Sequence, residues 1–503
     1  MMESNDDRQD QEEQRNVGAF EGQRTKNRAV GVLSALVALI LGALIASGVI
    51  YWPARAIPVF DSGVPEPLAC ALTELPGQAC LGTAAPLCPA DMKIARTAWK
   101  FFENNYQEKT GLVNSADRYP STTMWDTGSA LAATVAAHEL GIIDQKTFDD
   151  RVVAMMATLT AIDLFNGEAP NKAYSTETGE MVDYNNKPSP DGIGVSTLDL
   201  ARLVSWLQLL SCRHPKHAHA AEEIILRWNY CRLIKNGQMY GLMRDPATQE
   251  IKVVQEGRLG YEQYAGKVFR MLGFDQSVAA TYRNEFATEL DIYGVPISYD
   301  VRDPRKLGAY NYVVTESYAM DVMEHGRDEE NSPLIDNIFE VQKRRWRNTG
   351  ITTAVSEDNV DRDPWFVYNT IFVAGSPWNA ITDTGKDMEH MKSLSTKAAL
   401  TMSFLYPDDE YGNVLYDAVK NAYDPERGWY SGIYENGMGY NKAITANTNG
   451  VILSGILSKT YGPLLQICSR CNKPFFERPD IIDAAKIKGK CLPVQPDCQT
   501  CGG

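Results

Sequence analysis

Several stretches of this sequence place a carboxylate or another polar group just where an apolar helix would begin. The clearest is Tyr119-Pro-Ser-Thr-Thr-Met-Trp-Asp-Thr-Gly-Ser-Ala-Leu-Ala-Ala133. Pro120 and the Ser/Thr run signal a helix start, and the pattern runs to about Leu140. It carries no Lys or Arg, and Asp126 is its sole acid before Glu139. A helix that is small or apolar all round is expected to be buried. An ionised carboxylate at its mouth is costly unless it is paired, hydrogen-bonded or facing a wet cavity. Other starts repeat the theme: Ser196, Thr197 and Asp199; Arg258, Tyr261 and Glu262; Glu316, with Asp321 further in; Ser393, Ser395 and Lys397; Asn447 and Asn449.

Carboxylates converging on one cavity are what glycoside hydrolysis needs. One protonated acid donates to the leaving oxygen, while a second, ionised, activates water or attacks the anomeric carbon. The expected catalytic set is Glu262 as general acid, Asp126 as base or nucleophile, and Glu316 as a third acid. Trp125, Tyr261 and Trp378 are expected as sugar platforms, and Arg258, Asp199, Asn447 and Asn449 as further substrate contacts. The competing view is that each acid merely caps its helix or meets the helix dipole. No cofactor is called for: the chain has no Gly-rich phosphate loop and no G-x-S-x-G elbow. No metal is expected either. His214, His217 and His219 are expected to be a solvated helix start, and Glu357, Asp358, Asp361 and Asp363 a solvated acidic loop rather than a calcium site.

The elements that would position these groups number about twelve helical segments. They fall near 91–106, 123–141, 144–163, 194–212, 216–234, 258–273, 275–289, 314–326, 331–348, 390–404, 408–421 and 443–459. Segments with a charged face alternate with mostly apolar ones, as two concentric rings would require. The expected fold is all-α, an (α/α)6 toroid over residues 91–462. An irregular helical bundle or solenoid is the alternative. The long connections at 164–193, 235–257, 290–313 and 349–389 are rich in aromatics and amides, a mixture suited to sugar rings.

The net charge of −15 argues against nucleic acid. Residues 29–52 carry no charge, and a bilayer span needs roughly 20 apolar residues. A cleaved signal peptide would have a shorter core nearer the start. The expectation is therefore an anchor in the inner membrane behind a polar, disordered cytoplasmic tail, residues 1–28. Arg24, Lys26 and Arg28 flank the near side, which puts the rest of the chain in the periplasm. All ten cysteines lie beyond the anchor and are expected to form disulfides. Cys212 and Cys231 flank one helix and are a plausible pair, and the other eight lie in a Cys/Pro-rich linker, 53–90, and a tail, 463–503. A zinc site at Cys468-x-x-Cys471 and Cys498-x-x-Cys501 is the alternative for the tail.

Five motifs carry a resemblance. They are Thr97-Ala-Trp-Lys-Phe-Phe102, Thr110-Gly-Leu-Val-Asn114, Tyr119-Pro…Trp125-Asp126, Gln255-Glu-Gly-Arg-Leu-Gly-Tyr-Glu262 and Thr445-Ala-Asn-Thr-Asn-Gly450. In these the chain resembles the DUF3131 family over roughly residues 91–462. That family is similar to glycoamylase-like enzymes acting on β-1,2-glucans and to other (α/α)6 glycoside hydrolases. The resemblance implies a toroid acting on a glycan. Related enzymes often have Tyr-x-Glu-Tyr where this chain has Tyr261-Glu-Gln-Tyr264, so the acid sits one position early. The leading expectation is a membrane-anchored hydrolase of a glucan or exopolysaccharide. Its rivals are a non-catalytic glycan-binding subunit of a polysaccharide synthesis or export complex, and a polysaccharide lyase.

Overall fold

The computed structural model describes residues 87–256, 258–303, 310–466, 475–477 and 491–493. The expected tail 1–28, the anchor 29–52, nearly all of the linker 53–90 and both C-terminal Cys-x-x-Cys pairs lie outside the described residues. Among the described residues no helix is long and apolar enough to cross a membrane.

The described helices are α1 (Pro89–Asn104), α2 (Met124–Glu139), α3 (Gln145–Ala161), α4 (Thr197–Arg213), α5 (Ala218–Arg227), α6 (Tyr261–Leu272), α7 (Thr315–His325), α8 (Asn331–Thr349), α9 (Thr396–Leu405), α10 (Glu410–Val419) and α11 (Ala446–Tyr461). Six of them close a ring in which each packs on the next: α2, α4, α6, α7, α9, α11 and back to α2. These are the helices whose first turns carry the polar groups. The ring is tight because small residues sit at its contacts. A Cβ on Gly128 of α2 would meet the α4 backbone at Arg202 C, 2.8 Å away, and one on Gly450 of α11 would meet Ser129 O of α2 at 2.9 Å. The outer helices back this ring: α1 on α11 and α2, α3 on α2, α5 on α4, α8 on α7, and α10 on α9. The architecture is an (α/α)6 toroid.

Two expectations about the fold need correction. The chain is not all-α, because its long connections pair into short antiparallel strands. Those used below are β1 (Ser121–Thr123), β2 (Ala173–Ser175), β3 (Gly194–Val195), β4 (Gln238–Arg244), β5 (Ile251–Gln255), β6 (Ala287–Ile292), β7 (Val295–Asp300), β8 (Glu357–Asn359) and β9 (Phe366–Asn369). β1 pairs with β2 directly before α2, and β3 pairs with β4 directly before α4, so strand pairing fixes where those inner helices start.

The second correction is at 275–289, where no helix forms. Side chains compete for the backbone there: Asp275 accepts from Ser277 N at 2.9 Å and Asn284 from Phe286 N at 3.0 Å. The chain then enters the β6–β7 hairpin, which packs on α8. The short turn Phe475–Glu477 packs on α6, with Phe476 5.5 Å from the Phe274 ring and 6.1 Å from Tyr230. A disulfide joins Cys231 to Cys491, so Cys231 pairs with the tail and not with Cys212 as expected. A helix-flanking position alone says nothing about a partner 260 residues away.

Candidate active site

Side chains from the first turns of five inner helices meet, and Asp199 at the start of the sixth lies within electrostatic range of Asp126. Trp125 of α2 donates its indole N–H to Asn447 Oδ1 of α11 at 2.9 Å, and Asn447 Nδ2 donates to Glu316 Oε1 of α7 at 2.9 Å. Lys397 Nζ of α9 lies 2.5 Å from Glu316 Oε2. The Trp125 ring stands edge-on to Tyr261 of α6, centroids 5.5 Å apart. Asp199 of α4 and Asp126 of α2 repel one another electrostatically. Trp125, Asp126, Asp199 and Asn447 are half-buried rather than enclosed.

Local capping places the two aspartates. Thr123 Oγ1 accepts from Asp126 N at 3.1 Å and donates to Asp126 Oδ2 at 2.8 Å. Ser196 Oγ accepts from Asp199 N at 3.2 Å. A second acid caps α4 from outside: Glu256 accepts from Thr197 N at 2.6 Å, Leu198 N at 3.1 Å and Ser196 Oγ at 3.2 Å. Burial pushes the Asp126 carboxyl up to about 6, against the pull of the Thr123 and Ser115 hydroxyls and of Lys397. Burial, with the charge of Glu256, pushes Asp199 up to about 7. Neighbouring carboxylates held apart in this way are a common arrangement for acid–base work.

Opposite them lies a group around Lys397. Its ammonium, 2 % exposed, donates to the Glu357 carbonyl at 2.7 Å and lies 3.4 Å from Asp358 Oδ1. Ser356 Oγ reaches Glu316 Oε2 at 3.3 Å. Burial pushes Asp358 up to about 7 and raises Glu357 as well, with the nearby Glu316 charge adding to the latter. The half-buried Glu357 faces Tyr261 and Tyr312, and Tyr312 packs on Tyr368 of β9 at 4.2 Å. Arg258 lies over the Tyr312 ring and donates to Tyr310 O at 3.0 Å. Beneath Trp125 runs a buried ion pair, Arg202 with Glu324, to which Tyr264 Oη donates at 2.7 Å.

The structure thus brings together Trp125, Asp126, Asp199, Arg258, Tyr261, Glu316 and Asn447. Glu262 stands differently. It is 1 % exposed and ion-paired to Arg302, with Oε2–Nη2 at 2.5 Å and Oε1–Nη1 at 3.3 Å, and the same guanidinium holds Asp300. Trp378 packs between Tyr293 (6.2 Å) and Arg345 (4.8 Å) and has no ring contact with the first-turn group. Asn449 is fully buried, accepting from Trp429 N at 2.9 Å and donating to Thr445 O at 2.9 Å. Asp321 is fully buried against Lys267, Tyr282 and Asn331.

The two surface expectations hold only in part: His219 and Asp363 are exposed, but His217 and Asp358 are buried. His217 is 5 % exposed and lies 2.6 Å from Asp149, because it tucks under Phe148. Asp358 is buried by Lys397, while Asp361 takes Arg362 and the Tyr434 hydroxyl at 2.8 Å each. Among the described residues no group of His, Cys, Asp and Glu is arranged to hold a metal ion. Glu256, Glu357 and Tyr312 were not singled out as site residues from sequence. Their connections carry no periodicity; the signal that could have found them is Lys397, a lone charge within an apolar helix that needs a buried anion nearby.

The model of a family described as "Protein of unknown function (DUF3131)" matches residues 93–462. No curated protein matches the chain. Among solved structures the chain is similar to a glucoamylase candidate from Bacteroides fragilis, at TM-score 0.56 and 15% identity, covering 81% of this chain and 97% of that one. It is similar to an endo-β-1,2-glucanase from Chitinophaga pinensis in complex with sophorotriose and glucose, at TM-score 0.54 and 13% identity, covering 80% and 98%. A third is the endo-β-1,2-glucanase from Talaromyces funiculosus with sophorose, at TM-score 0.52 and 13% identity, covering 80% and 92%. At such identities the likeness is one of fold.

Proposed function

This chain belongs to the DUF3131 family, and from that premise we propose that it is a glycoside hydrolase acting on a glucan or related exopolysaccharide. The observation that carries the proposal is the pair Asp126 and Asp199. They occupy the first turns of adjacent inner helices, are half-buried, and are pushed to about 6 and about 7 respectively. Both carboxyls are raised towards the range in which one can hold a proton near neutral pH while the other is ionised. Asp126 then serves as base or nucleophile and Asp199 as the proton donor to the leaving oxygen. This moves the acid from Glu262, whose oxygens are committed to Arg302, to Asp199. Glu316 and Asn447 position the group, and Trp125 offers a half-buried ring to a sugar face. The substrate named for the Chitinophaga and Talaromyces enzymes makes linear β-1,2-glucan the first polymer to try.

The same reading places the toroid outside the cytoplasm, anchored by residues 29–52. The uncharged run, its cationic near flank and the Cys231–Cys491 disulfide support this, since such bonds persist in oxidising compartments. Protease digestion of spheroplasts should remove the toroid, and its protection would count against the placement.

The full chain in detergent, incubated with a panel of polysaccharides that includes linear β-1,2-glucan, should release shorter saccharides. Saccharide binding with no product over long incubation would favour a binding subunit. A product with ultraviolet absorbance from a new double bond would favour a lyase.

A further inference from the structure

We propose that the β8–β9 hairpin is a second glycan-binding surface, on which Phe366 and Trp365 hold units of a linear polymer away from the bond to be cut. The inference deepens the hydrolase reading and rests on it for the class of ligand.

The period-two alternation of strands sorts this hairpin into two faces. Its register sets Glu357 opposite Tyr368, Asp358 opposite Val367 and Asn359 opposite Phe366. Asp358 and Val367 are buried. Glu357, Tyr368, Asn359 and Phe366 therefore share the other face, where the first three are half-buried and Phe366 is exposed. That face alternates rings with a carboxylate and an amide. At its inner end Tyr368 packs on Tyr312 at 4.2 Å, and at its outer end Phe366 stands edge-on to Tyr368 at 5.2 Å. Tyr312 meets Tyr261 at 6.4 Å, and Tyr261 meets Trp125 at 5.5 Å. Ring contacts thus run unbroken from Trp125 to an exposed edge. Tyr261 and Tyr312 are buried and back this ridge, while Trp125, Tyr368 and Phe366 keep surface open to a ligand.

Trp365 stands next to that edge. At 62 % exposure it is the barest large apolar side chain among the described residues. Its φ is +70°, a conformation that a bulky residue rarely adopts, and burial of the ring does not repay it. The turn is nevertheless ordered by hydrogen bonds, Trp365 N to Arg362 O at 2.8 Å and Val360 N to Trp365 O at 3.0 Å. Asn441 braces the hairpin from the side, donating to Asn359 O at 2.7 Å and accepting from Asp361 N at 3.1 Å. A fixed backbone therefore holds the indole out from the surface.

The exposed aromatics among the described residues are Tyr119, Tyr184, Tyr293, Trp365, Phe366 and Tyr440. Each lies in a connection that leads into an inner helix, and none in a short connection from an inner helix to an outer one. They gather where the candidate catalytic groups are. The occupant is the substrate's own chain rather than a protein. The ridge is continuous with Trp125 at the site, and its interleaved carboxylate and amide suit hydroxyl rims beside stacked C–H faces. The core of a protein interface is instead depleted of charge.

The test is affinity electrophoresis of the full chain in detergent, in gels cast with linear β-1,2-glucan and, in parallel, with a β-1,3-glucan and an α-1,4-glucan. At least one of them should retard the wild type. Phe366→Ala and Trp365→Ala should each weaken that binding by about three- to tenfold, and the double variant by more. Circular dichroism and the unfolding midpoint should stay at wild-type values, since both side chains are exposed. Sophorose, only two units long, should bind the variants as it binds the wild type. Variants retarded as strongly as the wild type would overturn the proposal and leave the hydrolase reading standing. An equal loss for sophorose and polymer would also overturn it, since the rings would then act at the cleavage site. A wild type that none of the three glucans retards would count against the glycan reading and overturn this proposal with it.

Discussion

Asp199 and Glu262 occupy the first turns of neighbouring inner helices, α4 and α6, yet they are held in opposite ways. Asp199 is half-buried and capped through its backbone by Ser196, with the anion Glu256 as its strongest charged neighbour. Glu262 is fully enclosed, and Arg302 grips both of its oxygens while also pairing Asp300. Burial raises both carboxyls; the Glu256 anion adds to this at Asp199, whereas the Arg302 guanidinium opposes it at Glu262 and occupies both oxygens. Position at an inner-helix start is thus not enough to make an acid reactive. What surrounds it decides.

The comparison can be broken most forcefully at the chemistry. Asp126→Asn should lower kcat on the glycan that the wild type cleaves by about 10²–10⁴-fold. Its circular dichroism should stay close to wild type, and its unfolding midpoint at neutral pH should not fall, because the amide escapes the cost of ionising a carboxyl raised in the fold. A loss matched by unfolding would instead make Asp126 a cap.

Stability should separate the two acids next. Glu262→Ala leaves a buried face of Arg302 without its acceptor and should lower the unfolding free energy by about 2 kcal/mol. Asp199 should behave in the other sense. Its carboxyl is raised in the fold to about 7, so the folded chain binds the extra proton. Its contribution is favourable at low pH and is lost as pH rises from about 4 towards 7. Asp199→Asn should therefore gain stability relative to wild type when both are unfolded by denaturant at neutral pH. Near pH 4 the two should match more closely.

A smaller effect should appear in the pH dependence. With ionised Asp126 and protonated Asp199 as the active form, activity should be bell-shaped, with limbs near about 6 and about 7. Glu256→Gln keeps an oxygen to cap α4 but removes the charge that raises Asp199. Its alkaline limb should shift down by about half a pH unit, with the acid limb little changed.

Much of this arrangement was legible because the signals are local. The capped, uncharged start of α2 follows from Thr123, Asp126 and the small residues after them. The inner ring follows from the alternation of charged-faced and apolar segments. What was not legible depends on distant partners. Arg302 lies 40 residues from Glu262, and Cys491 lies 260 from Cys231. The expected helix at 275–289 gave way to side-chain turns at Asp275 and Asn284, and Phe476 packs on Phe274 there. Glu256 and Glu357 sit in connections whose pairing only the folded chain defines.

The most direct test sets Asp199→Asn beside Glu262→Gln on the glycan that the wild type degrades, reading reducing ends released per folded molecule. Asp199→Asn should lose about 10²–10⁴-fold, while Glu262→Gln should stay within about tenfold of wild type. The reverse order, with Asp199→Asn active and Glu262→Gln silent though folded, would contradict it.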